Sequence, residues 1–275
     1  MEKNPIYATS PLEIRQGIPV FSKTDHYIEN YATIARDHLE SLHKTGKNPF
    51  IKEHLWKEIE RSTENHIRQY LRPGHKILDV GVGTGRLLSC FPEAERYGLD
   101  VSHEYLLLAQ KQGIEVCLAR IEDFPYPPNI FDLVVCTDVL EHVLDLNLAL
   151  ERILFGLKSN GILIVRVPYL EDLSSYLAPE YPYDLVHLRT FDRYGLPLII
   201  EKVFRYQTLA SSLTGYTGGR PRIPIPRLFR IRSAFVRLLN LNRHFNPKIA
   251  HLFSKLLRKP TEINFVFRKS TSDTG

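Results

Sequence analysis

A chain of 275 residues, 43% hydrophobic and 24% charged, can bury a substantial core and suits one α/β domain with additions rather than two full domains. It opens polar and holds no apolar run long enough to cross a bilayer, which predicts a cytoplasmic protein. The net charge of +5 is local: residues 220–259 carry 11 Lys/Arg and no Asp/Glu. Cys90, Cys117 and Cys136 lack metal or redox spacing and read as core residues.

Residues 1–24 contain Pro5, Pro11, Gly17 and Pro19 without any period, and predict an irregular lead. After Asp25, a candidate N-cap, Ile28, Tyr31, Ala32, Ala35, Leu39 and Leu42 recur at helical spacing; Ile51, Leu55, Ile59, Ile67 and Leu71 follow suit. Lead and helices make a cap over 1–70.

The core is expected over 71–210. Lys76 to Val80 reads as a strand running into a glycine turn and a short helix. Tyr97 to Asp100 is a second strand, and Ser102 caps a helix that Gly113 stops. Val116 to Ala119 is a third strand, and Phe131 to Thr137, almost continuously apolar, a fourth covered on both faces. A helix over Leu146 to Leu157 leads to a fifth strand at Ile162 to Val167. A helix over Asp192 to Lys202 precedes a sixth strand at Phe204 to Ala210. The alternation predicts a doubly wound, mostly parallel α/β sheet. A basic insertion over 211–260 is long enough to suggest a purpose, as a lid or membrane-surface segment. Residues 261–275 supply the last strand, Thr261 to Arg268, and a tail.

Two features carry chemistry. In Asp79-Val-Gly81-Val-Gly83-Thr-Gly85, alternate glycines let a ligand approach the backbone, and the expected helix would offer it unpaired N–H groups. The G-x-G-x-G spacing differs from the dinucleotide fingerprint, and the Asp79 carboxylate would repel a pyrophosphate, so an NAD(P)-dependent dehydrogenase is disfavoured. Asp100 closes the second strand, where a carboxylate can accept both hydroxyls of a ribose. After the fourth strand, Asp138-Val-Leu-Glu141-His142 stands at the carboxyl edge of the sheet, where substrates bind in such folds.

The run from Asp79 to Gly85 resembles motif I of the class I S-adenosylmethionine-dependent methyltransferases, and Gly98-Leu-Asp100-Val-Ser102 resembles their second motif. Ala119-Arg-Ile121-Glu122-Asp-Phe-Pro-Tyr126 and Leu140-Glu141-His142-Val143 resemble segments of the ubiquinone/menaquinone-biosynthesis-like branch. The resemblance implies a seven-stranded Rossmann-like sheet with an antiparallel last strand. It implies S-adenosyl-L-methionine as cofactor, bound by Asp79, Gly81, Gly83, Gly85, Asp100, Ile121, Glu122 and Thr137. Arg120 stands where the family has an aspartate for the adenine amino group, a hydrogen bond arginine cannot accept; Glu122 or a carbonyl would substitute.

The expected reaction is methylation of an oxygen on a small-molecule, glycan or lipid-linked acceptor, with His142 as base and Glu141 orienting it. Asp138-x-x-Glu141-His142 also resembles the E-x-x-E-H pattern of metal-dependent members, and His187 resembles a histidine recurring before the last family helix. Asp138 replaces the longer glutamate, so the base is preferred and no metal is named. The basic segment suggests peripheral contact with anionic membrane, and a noncatalytic membrane-surface protein of the same fold is the rival reading. RNA as partner is disfavoured by its few clustered aromatics.

Overall fold

The computed structural model describes residues 6–217 and 259–269. Its sheet is built outward from β3 (Lys76–Val80). On one side lie β4 (Glu95–Asp100) and β5 (Glu115–Leu118), and on the other β6 (Phe131–Thr137) and β7 (Leu157–Pro168), all parallel. β9 (Lys259–Arg268) runs antiparallel to β7, and β8 (Gln207–Thr217) antiparallel to β9. Strand order reverses between β3 and β6, so a crevice opens beyond their carboxyl ends.

Among the described residues the sheet has nine strands, not seven. The additional pair is a hairpin in the lead expected to be irregular: β1 (Glu13–Arg15) and β2 (Ile18–Val20), with β2 beside β5. Gln16 and Gly17 both have positive φ, the backbone of a tight hairpin turn whose twist matches the strands. Ile18 and Val20 point inward and are buried, which holds the register.

Apolar side chains alternate between two cores. Leu78, Val80, Val134 and Cys136 join Leu150 and Ile153 of α4 (Leu146–Gly156) and Ile200 of α5 (Gly195–Lys202) on one face. Ile77, Leu133 and Val135 join Ile28 of α1 (His26–Thr45), Ile67 of α2 (Glu53–Tyr70) and Leu106 of α3 (His103–Lys111) on the other. Asp25 caps α1 by accepting from the Ile28 N–H at 3.0 Å, a contact worth about 1 kcal/mol. Cys117 and Cys136 are buried, as core residues should be.

No α-helix follows the glycine turn. Between Gly85 and Pro92 only a short 3-10 turn forms, Leu88–Cys90. Proline cannot sit inside a helix, and so short a stretch cannot offset the cost of nucleating one. At the far edge, β8 continues past Ala210 to Thr217 and pairs with β9 as far as Lys259, so ordered sheet reaches into the segment expected to be insertion. Residues 218–258, with most of the basic block, lie outside the described residues. Among the described residues, no helix is long and apolar enough to cross a membrane.

Candidate functional site

The crevice is a cavity of about 630 Å³, within the roughly 300–1,000 Å³ typical of small-molecule sites. Asp79, Gly81, Gly83, Asp100, Ile121, Glu122, Thr137, Glu141 and His142 all line it. Gly85 does not. A Cβ there would meet Ile114 Cδ1 at 2.6 Å and the Ala109 backbone at 3.0 Å, so this glycine lets the turn pack against α3. At Gly81 a Cβ would strike Val139 at 2.2 Å, but at Gly83 it meets no heavy atom of the described residues within 4 Å. Gly83 alone of the three leaves open space above the turn.

The turn is fixed by the strand ends. Leu99 O accepts from the N–H groups of Gly81 (2.7 Å) and Val82 (3.1 Å). Asp100 accepts from Gly83 N at 2.8 Å through one oxygen and from Ser102 N at 2.9 Å through the other. Burial raises the Asp100 pKa, opposed by these backbone donors. Asp79 is 2% exposed, and its Oδ1 has no hydrogen-bond partner among the described residues. Burial pushes its carboxyl well above the usual range, with Arg166 pulling the other way. A buried carboxylate oxygen facing a cavity without a partner is made for a cationic ligand group.

Cap helices roof this half. Tyr27, Tyr31, Ile34 and His38 of α1 and Trp56 and Glu60 of α2 line the cavity. His38 Nδ1 lies 2.6 Å from the Tyr105 hydroxyl, and its Nε2 is buried without a partner among the described residues. Arg86 stacks on Trp56 at 4.2 Å and pairs with Glu60 at 2.9 Å. Arg120, the residue out of place in the motif, turns to Asp25 at 2.6 Å and to Glu122 at 3.6 Å, with its guanidinium over Tyr27. The N-terminal segment clamps the same loop: Arg120 N donates to Ser22 Oγ at 2.7 Å, and that hydroxyl donates to Asp123 at 2.7 Å.

The other half is built around the end of β6. Asp138 has a positive φ of 57°, a conformation aspartate tolerates better than most residues and one that clusters at functional sites. Its carboxylate is held bidentately by buried Arg166, at 3.1 and 2.5 Å. Glu141 is fully buried, and neither of its carboxylate oxygens has a partner among the described residues. It does not cap the next helix; Asp145 does, accepting from Leu148 N at 3.0 Å. Nor does it orient His142, whose Nε2 stands 4.0 Å away. Orientation comes from His142 Nδ1, 3.0 Å from the Tyr31 hydroxyl and 3.3 Å from Val186 O. Burial, aided by His187, lowers the His142 pKa to about 4. The ring of His187 lies 4.6 Å from that of His142, and its Nδ1 bonds Glu171.

Sequence reasoning missed Tyr31, Arg166, Glu171 and Glu262. Glu262 enters from β9, lines the cavity and keeps one oxygen unpartnered among the described residues. Its signal was a carboxylate inside a strand otherwise apolar enough to be core.

Residues 78–165 match a family model described as a methyltransferase domain. The chain is 31% identical over 127 residues to the uncharacterized protein MJ1123 of Methanocaldococcus jannaschii, covering 46% of this chain and 57% of that one. It is 30% identical over 158 residues to the ubiquinone/menaquinone biosynthesis C-methyltransferase UbiE of Cupriavidus necator, covering 52% and 61%. It thus spans 57–61% of the length of these two curated relatives. The fold resembles that of a Haloferax volcanii protein solved with the Trm112 methyltransferase activator: TM-score 0.56, 17% identity, 90% of this chain and 100% of that one covered.

Proposed function

We infer that this chain, which belongs to the class I S-adenosylmethionine-dependent methyltransferases of the ubiquinone/menaquinone-biosynthesis-like branch, transfers the cofactor's methyl group to an oxygen of a small-molecule, glycan or lipid-linked acceptor. The observation that carries the reading is the cofactor half of the cavity: open space above Gly83, with the buried, unpartnered Asp79 oxygen and the Asp100 carboxylate at adjacent strand ends. Asp79 would hold the cofactor's ammonium group and Asp100 its ribose hydroxyls. Ile121, Glu122 and Thr137 would line the adenine and methionine sides, with Gly81 and Gly85 setting the turn.

The sulfonium is an activated donor, so the chain's own task is alignment and acceptance of a proton. When bound, the cofactor would supply an electrophilic methyl group, and this chain's residues would align the acceptor oxygen with it and take up the hydroxyl proton. His142 and Glu141 stand on the acceptor side. With Nδ1 donating to Tyr31, His142 offers an Nε2 lone pair to which an acceptor hydroxyl can donate. Residues 1–70 would cap the cofactor over the 71–210 core. The segment over 211–260 would meet the acceptor, since β8 runs parallel to β7 and ends at the carboxyl edge. Its basic block would then contact anionic lipid.

Carbon methylation is the second reading, favoured by the similarity to a protein named as a C-methyltransferase. Methyl-¹³C-labelled cofactor distinguishes the two, because a methyl ether and a carbon-bound methyl resonate far apart. Calorimetric titration with S-adenosylmethionine and with NAD tests the family chemistry itself. Binding of the first, lost in Gly83→Arg and Asp100→Ala variants that still fold, is expected; binding of NAD alone sinks the reading.

A further inference from the structure

We propose that the acceptor half of the cavity is built for a protonated amine: Glu141 and Glu262 hold the ammonium group of a vicinal amino alcohol against a tyrosine wall, with its hydroxyl beside His142. Glu141 is fully buried, and neither of its oxygens has a hydrogen-bond partner among the described residues; one Glu262 oxygen is likewise buried and unpartnered. Glu141 follows β6 and Glu262 enters from β9, yet both line the same cavity. Burial, and then the Asp138 charge, push both carboxyls well above the usual range. The protein's own cations are committed elsewhere. Of the arginines lining the cavity, Arg86 pairs with Glu60 at 2.9 Å and Arg120 with Asp25 at 2.6 Å, while Arg166 directs Nε and Nη2 to Asp138 and Nη1 to Thr63. No lysine lines the cavity among the described residues. Burial keeps His142 neutral, and His187 faces Glu171. An ammonium brings one positive charge and three donors to the open oxygens, whereas a neutral hydroxyl brings one donor and an anion is repelled.

The aromatic wall points the same way independently. Tyr31, Tyr176, Tyr181 and Tyr183 line the cavity. Tyr176 meets Tyr181 edge to face with centroids 5.1 Å apart, and Tyr181 meets Tyr183 at 6.2 Å. Tyr31 and Tyr176 both lie within electrostatic reach of Glu141, and the Tyr176 ring packs on His187 at 5.3 Å. The hydroxyls of Tyr176 and Tyr183 donate to Glu171 and Asp37, at 2.8 and 2.9 Å, which fixes the rings. Fixed aromatic rings beside buried carboxylates are the combination that recognises ammonium groups. Glu141 stands 4.0 Å from His142 Nε2, so an ammonium on the first and a hydroxyl on the second belong on neighbouring carbon atoms. Held as a cation, the nitrogen has no lone pair to methylate; it anchors the acceptor and leaves the hydroxyl as nucleophile. That use rests on the proposed methyl transfer to oxygen; the ammonium site does not.

The test uses the full chain near neutral pH and two matched probe pairs in which an ammonium replaces a hydroxyl: glucosamine against glucose, and 2-amino-1-phenylethanol against 1-phenylethane-1,2-diol. Ligand-observed NMR titrations should show the amine of at least one pair binding about tenfold or more tighter than its neutral partner. The pair that does so distinguishes a sugar acceptor from an aromatic one. Glu141→Gln and Glu262→Gln, with circular dichroism unchanged, should each cut that preference by about tenfold. Asp79→Asn should keep it, because Asp79 belongs to the cofactor half. No preference in either pair, its survival in either folded glutamine variant, or its loss in Asp79→Asn overturns the site. A titration with S-adenosylmethionine on the same preparation separates the two claims. Cofactor binding without the amine preference sinks only the ammonium site; the preference without cofactor binding keeps the site and sinks the methyl-transfer reading.

Discussion

Replacing Gly83 and Gly85 separately by alanine should split stability from cofactor binding. Gly83 has φ +51° and, among the described residues, no heavy atom within 4 Å of an added Cβ, so alanine costs only left-handed strain, about 1–2 kcal/mol. Gly85 has φ +79° and the same strain, but its Cβ also presses on Ile114 at 2.6 Å and the Ala109 backbone at 3.0 Å. Overpacking adds about 1–3 kcal/mol, roughly 2–5 in all. At about 2–4 °C per kcal/mol for a domain of this size, the Tm should fall by about 2–8 °C for Gly83→Ala and about 4–20 °C for Gly85→Ala. Affinity should run in the opposite order. The Gly83 methyl enters the cofactor's space and should weaken S-adenosylmethionine at least about tenfold, about 1.4 kcal/mol. Gly85→Ala, measured cold enough to stay folded, should remain within about threefold of the parent. Differential scanning fluorimetry and calorimetry read both quantities. If Gly83→Ala binds the cofactor as the parent does, or Gly85→Ala loses it equally while folded, the division of roles between the glycines is wrong.

Cofactor binding should also release a proton. Burial raises Asp79, so the unliganded protein keeps this carboxyl protonated to higher pH than an exposed one, whereas an ammonium group binds the ionised form. Affinity should therefore rise with pH and fall as pH drops through the raised pKa. Calorimetry in two buffers of different ionisation enthalpy should show the release and Asp79→Asn should abolish it; equal enthalpies in both buffers across the range would refute the role. For the basic segment, binding to vesicles containing anionic lipid should weaken with salt and be lost when Arg227, Arg230 and Arg232 become serine. Unchanged binding by that variant, or none by the parent, removes membrane contact from the proposal.

Local signals carried much of the fold. Phe131–Thr137 is almost continuously apolar, interrupted by Asp132, because both faces are covered, and it forms the strand over those residues. Ser102 accepts from Tyr105 N at the start of α3, and Gly113 ends it with φ 74°. The β1–β2 hairpin was missed because proline and glycine drew the reading toward irregular chain, although Gln16-Gly17 between Ile14 and Ile18 has turn chemistry of its own. The helix after Gly85 was expected from the motif and is absent because Pro92 follows too soon.

The acceptor half was less legible because its geometry depends on partners distant in sequence. Asp138, Glu141 and His142 read as one run, but the fold divides them. Arg166, from β7, claims Asp138, while Tyr31 from α1 and Val186 from the loop before α5 turn His142. Glu171 fixes His187, and Glu141 is left as the member of the run whose carboxylate has no hydrogen-bond partner among the described residues. Spacing alone could not distinguish a carboxylate neutralised by a buried guanidinium from one left open to the cavity, since the guanidinium lies 28 residues further along the chain. Burial supplies the distinction. A buried acid without a partner is costly unless a ligand completes it, which makes Glu141, rather than the exposed end of the run at Asp138, the residue around which acceptor chemistry should be sought.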